Sequence, residues 1–417
     1  MESEFRRPKG SGPIATQDDN HKFVRANALM DRFQQLCRWL TSHARFLGTN
    51  KELFEQFCSQ VDALAVPLDR SWLHIRTLHP QYAGLSRLWQ RETGIQERYL
   101  EHDFERKSIY LTSPIRFAVE ERKMSRWRLS AQETLPFPFL DELRAAGYSD
   151  YVVAPLFYSD GTANALSWAT RLASGFSDED LQLFDDILPA FSAIAEIKSL
   201  RRFATNMLHT YAGREPGELI LKGQIRRGDT RTITAALMLV DLRDFTLISD
   251  ALAPTNVIKT LNRYFDSVMF PIHRHGGEVM EIMGDGILAI FNDRVEGGPT
   301  AACRNAFEAA MEGIGALAQS NEIEPDEVIQ LVAGFALHHG AVAYGNIGFG
   351  DRLDFTVIGR EVNVTSRIEK LCRELDRQLI MSGEFVNLLQ QPMYEIGHFA
   401  LRGIPENQPL FGLPAEA

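Results

Sequence analysis

Residues 276–291 read Gly276-Gly-Glu-Val-Met-Glu-Ile-Met-Gly-Asp285-Gly-Ile-Leu-Ala-Ile-Phe291. Two apolar runs flank a Gly-Asp-Gly turn, so the stretch predicts a β-hairpin with Asp285 in its turn. An earlier apolar run, Thr234 to Val240, stops at Asp241. The pattern thus places two carboxylates where strands end or turn, beside glycine-rich loops, and this layout suits divalent cations that hold a polyphosphate. Since aspartate is also an ordinary turn former, each position alone indicates little.

The elements around this hairpin predict the fold class. The pattern from 232 to 291 is strand, helix, strand, turn, strand, and the helix has apolar residues at three- and four-residue steps from position 257 to position 269. A second helix is predicted over about 299–319, followed by strands at 330–338 and 342–346. The order β-α-β-β-α-β is the ferredoxin-like arrangement, so we predict an α+β fold for the C-terminal half.

Further motifs follow in a fixed order, and together they resemble the class III nucleotidyl (adenylyl and guanylyl) cyclase family over roughly residues 229–412. The motifs are Val-Asp-Leu-Arg-Asp-Phe-Thr (240–246), Gly-Gly-Glu-Val (276–279), Gly-Asp-Gly (284–286), His-His-Gly (338–340), Tyr-Gly-Asn-Ile-Gly (344–348) and Val-Asn-Val-Thr-Ser-Arg (362–367). One such match is weak, but six in the family's order and spacing are a specific signal.

The resemblance implies a site for two Mg²⁺ or Mn²⁺ ions. Asp241 and Asp285 match the family's metal-binding pair, and the backbone carbonyl of Leu242 completes the expected ligands. Backbone amides at the start of the following helix can bind phosphates. The residues expected there are Arg243, Asp244, Phe245 and Thr246. The alternative is a pair of structural turn aspartates.

Asn363 and Arg367 are four residues apart, so on a helix they share one face. The resemblance implies that Asn363 orients the ribose and that Arg367 meets charge on the α-phosphate. The alternatives are a helix-start residue for Asn363 and an ion pair with Glu361 or Glu369 for Arg367. In the family, each active site takes its aspartates from one subunit and its Asn/Arg pair from the other, which implies a homodimer with two shared sites.

The residues expected to contact the purine are Glu281 and Thr356. Bacterial adenylyl cyclases usually carry lysine at the first position, whereas glutamate there is typical of guanylyl cyclases. A carboxylate can accept from both N1 and N2 of guanine, while adenine offers an acceptor at N1. Threonine at the second position is found in bacterial adenylyl cyclases. The pair therefore points both ways, and ATP is favoured only by family frequency.

Three other features of the catalytic half have simpler interpretations. Arg402 lies where the family often has a basic residue near the terminal phosphates, although Ile404 departs from that pattern. His338 and His339 are interpreted as strand-end residues rather than metal ligands. Gly345, Gly348 and Gly350 are interpreted as turn glycines, because they lack the Rossmann spacing.

Composition bounds the rest of the chain. The 417 residues are 45% hydrophobic with a net charge of −11, which suits two or three globular domains and argues against general nucleic-acid binding. No apolar run of 18 residues and no signal-peptide pattern occur, and the four cysteines lack metal spacing. These observations predict a cytoplasmic protein with reduced thiols, no membrane span and no nucleic-acid partner.

The N-terminal half predicts a sensory module. We expect a disordered tail at 1–20, a GAF-like α+β domain at 21–195, a helical linker at 196–228 and the catalytic domain at 229–417. Helical patterning covers 22–64. The β-like runs begin at Trp72, Ser108, Tyr151 and Ala165, and Ser-Asp-Gly at 159–161 predicts a hairpin. The aromatic side chains can line a pocket or form the core; they are Trp72, Trp89, Trp127, Trp168, Tyr151 and Phe157.

A long helix is predicted from residue 178, opened by a capping box of Ser177 with Asp180. Pro189 lies inside it. The apolar stripe Leu181, Phe184, Leu188, Phe191 and Ala195 has the spacing of a two-helix seam, and packing on the module's own sheet is the equal alternative.

The function predicted from the resemblance is second-messenger synthesis: in-line attack of a ribose 3′-oxygen on the α-phosphate, giving a 3′,5′-cyclic nucleotide and pyrophosphate. A cyclase-like sensor without turnover is one rival, although such copies usually lose one of the four main residues. A diguanylate cyclase or polymerase-like palm is the other, and the chain lacks its Gly-Gly-Asp/Glu-Glu-Phe signature. The sequence indicates no ligand for the N-terminal module: a small-molecule input such as haem, a cyclic nucleotide or a metabolite, a protein input, and no ligand at all stay open.

Overall fold

The structure is a computed structural model that describes residues 17–131, 133–323, 329–350 and 352–413. The chain divides into two compact units, Met1–Asn206 and Met207–Ala417. Of the tail predicted at 1–20, residues 1–16 lie outside the described residues, and a helix begins at Gln17.

The first unit is built on an antiparallel sheet with the strand order β3-β2-β1-β6-β5-β4. Its strands are β1 (Arg70–Arg76), β2 (Gly84–Gln90), β3 (Gly94–Leu100), β4 (Ser125–Arg128), β5 (Asp150–Phe157) and β6 (Ala163–Thr170). The β5–β6 pair confirms the predicted hairpin, in which Gly161 adopts φ +85°. A mixed α+β unit with this sheet is consistent with the GAF-like prediction.

Helices complete the first unit. They are α1 (Gln17–Ser42), α2 (Asn50–Ala63), α3 (Ser108–Leu111), α4 (Pro114–Glu121), α5 (Pro138–Ala145) and α6 (Asp178–Ala212), which runs past the boundary between the units. The β-like assignment of the run at Ser108 is wrong, because this segment is α3. Four residues are too few to separate the two periods, and Tyr110 packs on Phe104 with ring centroids 5.5 Å apart.

The long helix α6 begins with the predicted capping box. The Ser177 hydroxyl accepts from the Asp180 amide at 3.1 Å, and the Asp180 carboxylate accepts from the Ser177 amide at 3.0 Å. Within the first unit, Phe184 and Phe191 are fully buried in its core, and the Trp168 and Phe184 rings stack at 4.2 Å. The rest of the stripe, Leu181, Leu188 and Ala195, packs in or against the same core. The stripe therefore packs within its own module.

The predicted aromatic set of this unit is mostly core. Trp89 and Trp168 belong to the core beneath α6, whereas Trp127 and Tyr151 belong to a second cluster on the opposite face. The four cysteines of the described chain are unpaired, as predicted. None of the helices in the described residues combines the length and apolarity needed to cross a bilayer.

The second unit is a mixed sheet flanked by helices. Its strands are β7 (Thr230–Leu242), β8 (Glu278–Met283), β9 (Gly286–Asn292), β10 (Ala333–Phe349), β11 (Arg352–Ile358), β12 (Leu379–Ser382), β13 (Tyr394–Phe399) and β14 (Gln408–Gly412). The order is β13-β14-β12-β10-β7-β9-β8, with β11 paired to β10. The central β10-β7-β9-β8 segment, antiparallel throughout, is the predicted ferredoxin-like arrangement.

The helices of this unit are α7 (Arg214–Leu221), α8 (Phe245–Ala251), α9 (Pro254–Arg274), α10 (Gly298–Ile323), α11 (Arg360–Glu374) and α12 (Gly383–Leu389). Alternate residues of β7, such as Ala236, Met238 and Val240, share a core with residues of α9 and α10. Since side chains alternate along a strand, Asp241 projects to the opposite face, where α11 packs on β10.

One strand was predicted wrongly as two. Residues 333–349 form the single strand β10, so His338 and His339 lie within it rather than at its end. Gly345 and Gly348 also lie in β10, and a Cβ there would stand 2.1 and 2.2 Å from backbone oxygens of Asp229 and Arg352. These glycines thus permit close backbone approach instead of making a turn.

The motif residue Glu278 has a structural role that the sequence did not indicate. Its carboxylate accepts from the Glu215 amide in the first turn of α7 at 2.7 Å, and from the Tyr344 hydroxyl at 3.3 Å. Gly213, at the N-cap, has no side chain to serve there, so Glu278 caps α7 from another element. Burial raises the pKa of Glu278 from its ordinary value of 4.5 to about 7.

This raised pKa predicts how Glu278→Gln changes stability with pH. The stability from a carboxyl whose pKa is raised by folding is fully present below about pH 4.5 and is lost as pH rises through 7. We expect the neutral variant to melt above wild type at pH 8, with the difference shrinking towards pH 5. Thermal melts across this range measure it, and Glu218→Gln, an exposed change on α7, should show no such trend. A pH-independent difference would contradict the expectation.

Candidate active site

The two predicted metal ligands converge at one end of neighbouring strands. Asp241 is the penultimate residue of β7, and Asp285 follows Gly284 (φ +69°) in the two-residue turn between β8 and β9. Because β7 pairs with β9, the turn reaches Asp241: a Cβ on Gly286 would lie 3.6 Å from the Asp241 Oδ1 atom. The Asp285 charge acts on the Asp241 carboxyl, whose pKa it raises.

The electrostatics of this pair fit a cation site. Burial first, and the neighbouring Asp285 charge second, raise the pKa of Asp241 to about 6. Two carboxylates that disfavour each other's charge are stabilised by a divalent cation, and carboxylate oxygens are the ligands that Mg²⁺ prefers. No cluster of three or more His, Cys, Asp or Glu ligands occurs in the described residues, so any cation held here would depend on this pair, on backbone oxygen and on substrate phosphates.

Three residues around the pair were missed by the sequence analysis. Glu369 on α11 has its pKa raised to about 7, by burial and then by the Asp241 charge. The Arg373 Nη2 atom lies 4.0 Å from Asp241 Oδ2. Tyr264 of α9 is fully buried, and its hydroxyl has no hydrogen-bond partner among the described residues. Glu369 and Arg373 are four residues apart on the same helix as Asn363, and this spacing was the available signal.

In the segment after Asp241, one backbone amide already donates a hydrogen bond within the protein. The Arg243 amide donates to the Val332 carbonyl at 2.8 Å, and the Arg243 guanidinium pairs with Asp376 at 2.6 Å. Asp244 adopts a left-handed conformation (φ 57°) and precedes α8. Phe245 and Thr246 form the first turn of α8, where amides lack helical partners. Leu242 ends β7 beside Asp241.

The predicted helical pair lies on α11. Asn363 is exposed, and its Nδ2 atom donates to the Gly359 carbonyl at 3.3 Å, as the helix-start alternative expects. Among the described residues Arg367 forms no ion pair with Glu361 or Glu369. Within this chain the α11 residues that act on Asp241 are Glu369 and Arg373. The structure therefore does not bring Asn363 and Arg367 onto the aspartates of the same chain.

The two predicted purine residues are brought together. Thr356 on β11 is buried, and its hydroxyl donates to the Glu281 carboxylate on β8 at 3.4 Å. Glu281 itself is exposed, so its second oxygen is accessible. The Thr356 hydroxyl therefore orients the Glu281 carboxylate through a hydrogen bond.

Arg402 is exposed in the turn before β14. The next residue, Gly403 (φ +78°), faces Arg367: a Cβ there would lie 3.8 Å from the Arg367 Nη2 atom. The turn that carries Arg402 therefore lies beside Arg367.

The class of domain that carries this fold and these carboxylates is given by comparison with known proteins. Residues 229–409 match the family described as the adenylate and guanylate cyclase catalytic domain. This part of the chain belongs to that family.

Two of the similar proteins are named adenylate cyclases. The chain is 28% identical over 236 residues to adenylate cyclase 1 of Rhizobium meliloti, covering 53% of this chain and 34% of the relative. It is 27% identical to an adenylate cyclase of Anabaena cylindrica, covering 47% and 38%. The chain thus spans about a third of the length of these relatives. The crystal structure of the adenylyl cyclase CyaB from P. aeruginosa aligns with TM-score 0.42 at 21% identity, over 45% of this chain and 97% of that one.

Proposed function

We propose that this protein is a class III nucleotidyl cyclase that converts ATP to 3′,5′-cyclic AMP and pyrophosphate in second-messenger signalling. The observation that carries the proposal is the convergence of Asp241 and Asp285 at the β7 end, with the Asp241 pKa raised by burial and by its neighbour. An aspartate that only forms a turn would not be placed beside a second half-buried carboxylate, because the two charges repel.

The chain's own residues divide the work of cyclisation. Asp241, Asp285 and the Leu242 carbonyl would hold two Mg²⁺ or Mn²⁺ ions, which supply positive charge at the 3′-oxygen and at the β- and γ-phosphates. Asn363 orients the ribose, and Arg367 stabilises charge that develops on the α-phosphate. Amides of α8 and the Arg402 side chain bind the remaining phosphates.

These groups form a complete site only in a homodimer. Among the described residues Arg367 forms no ion pair. The α11 residues that lie beside Asp241 are Glu369 and Arg373. A second copy would bring its own α11 face to the aspartates, giving two equivalent sites.

ATP is supported by the names of the relatives, both adenylate cyclases. GTP is a second candidate, because the Glu281 carboxylate can accept from two donors of guanine. The deciding experiment assays the purified protein with ATP and GTP separately, each with Mn²⁺ and with Mg²⁺, and identifies the product by mass spectrometry. The absence of a cyclic product from an intact dimer would favour the cyclase-like sensor.

The substitution Glu281→Lys tests the purine site. Lysine donates to adenine N1 but opposes the guanine donors, so we expect the ratio of kcat/KM for ATP over GTP to rise by about 10- to 10²-fold, the effect of one or two hydrogen bonds to a charged group. Glu296→Lys, the same charge change at an exposed position, should leave the ratio within about twofold. An unchanged ratio in Glu281→Lys would remove Glu281 from the purine site.

A further inference from the structure

A buried hydrogen-bonded chain links three elements next to α11. His338 of β10 is 2% exposed, and its Nε2 atom lies 2.8 Å from the Glu361 carboxylate in the first turn of α11. Its Nδ1 atom lies 2.8 Å from the hydroxyl of Ser382, which is also 2% exposed. Ser382 caps α12, because its hydroxyl accepts from the Phe385 amide at 3.2 Å.

The direction of each hydrogen bond follows from the donors available. Since the Ser382 oxygen already accepts from Phe385, its hydroxyl hydrogen is free to be donated to Nδ1 of His338. A ring that accepts at Nδ1 carries its hydrogen on Nε2, and this N–H donates a hydrogen bond to the Glu361 carboxylate. Both ring nitrogens are satisfied, which is the usual condition of a buried polar side chain.

The first turn of α11 is held against β10 at this point. Gly340 is two residues beyond His338, on the same face of β10, and a Cβ there would lie 2.6 Å from Glu361 Cγ. The side chain of Glu361 thus lies against bare backbone. The N-cap of α11 is Gly359, which supplies no side-chain cap, and the Glu361–His338 contact is a polar link from this helix end to β10.

Asn363 follows Glu361 by two residues, and Arg367 lies four residues, about one helical turn, beyond Asn363. We propose that His338 is a positioning residue for the cyclase reaction: through Glu361 it fixes the N-terminal turns of α11 and thereby places Asn363 and Arg367 in the site that a partner subunit completes. This inference rests on the proposed function, and it concerns only the half of the site that α11 contributes.

The test compares His338→Gln and Glu361→Gln with a matched control. His339 is the next residue and also pairs with a carboxylate, that of Asp293 at 3.0 Å, but it lies on the opposite face of β10 from His338. We expect His338→Gln to lower kcat by about 10- to 10²-fold, since a misplacement of catalytic groups by about 1 Å can cost that much.

KM and the Mn²⁺ concentration for half-maximal activity should stay within about twofold of wild type. Glu361→Gln keeps an acceptor for Nε2 and should retain most of kcat, whereas His339→Gln should match wild type in kcat.

Mixed dimers separate positioning from a general loss of structure. Asp285→Ala removes the metal half and Arg367→Ala removes the α11 half. Co-purified with Asp285→Ala subunits, His338→Gln subunits should form one wild-type site per mixed dimer and regain activity; co-purified with Arg367→Ala subunits, they should not. Restoration by both partners or by neither would overturn the proposal. A wild-type protein with no cyclase activity would instead contradict the proposed function. If His338→Gln and His339→Gln lowered both the melting temperature and kcat by equal amounts, His338 would have only a structural role and the proposal would be wrong.

Discussion

Replacement of Asp285 by alanine is expected to lower cyclic nucleotide formation by about 10³-fold or more. Asp285 is one of the two carboxylates that would hold the cations, and the loss of metal-assisted charge stabilisation costs several kcal/mol in the transition state. The measurement is product formation at saturating Mn²⁺ and nucleotide, with dimer mass checked in parallel.

The same variant should keep its fold, for an electrostatic reason. The Asp285 charge helps to raise the pKa of Asp241, so in a chelator its removal relieves repulsion and should leave the melting temperature equal to or above that of wild type. The rise in melting temperature caused by Mn²⁺ with nucleotide should disappear. Asp250→Ala, at an exposed position of α8, should keep both the activity and the rise. Activity of Asp285→Ala within a few-fold of wild type would contradict the two-cation site.

The sequence predicted those parts of the fold that depend on local pattern. The hairpin around Asp285, the helices α9 and α10 and the capping box at Ser177 follow from turn chemistry and periodicity. Predictions from local pattern failed where a contact with a residue distant in the sequence determines the structure. The glycines of β10 resemble turn formers, but Gly340 makes room for Glu361, and this contact is invisible until α11 is packed on the sheet.

The candidate site shows the same division. Asp241, Asp285, Glu281 and Thr356 were chosen from motifs, and the structure brings them together in pairs. Glu369 and Tyr264 belong to no motif, and only packing reveals that they approach the aspartates. The link between His338 and Glu361 joins residues 23 apart in the chain. A contact between a strand and a helix packed on it was not derivable from either local sequence.

Arg367→Ala is expected to reduce kcat by about 10³- to 10⁵-fold, the usual effect of an arginine that stabilises phosphoryl-transfer charge. Its guanidinium forms no ion pair in the described chain, so its removal leaves no buried charge unpaired and should not lower the melting temperature. Arg360→Ala, an exposed arginine in the first turn of the same helix, should keep activity within about twofold.

Mixing the two inactive variants then tests the shared site directly. In a dimer of one Asp285→Ala and one Arg367→Ala subunit, both defects fall in one active site if aspartates and arginine come from different chains, and the other site is wild type. About half of randomly assembled dimers would be of this kind, each with one of two sites intact, so roughly a quarter of wild-type activity should return. If each chain formed its own complete site, every site in the mixture would lack one group and no activity would return. Recovery therefore decides between a site within one chain and the shared site that the placement of α11 supports.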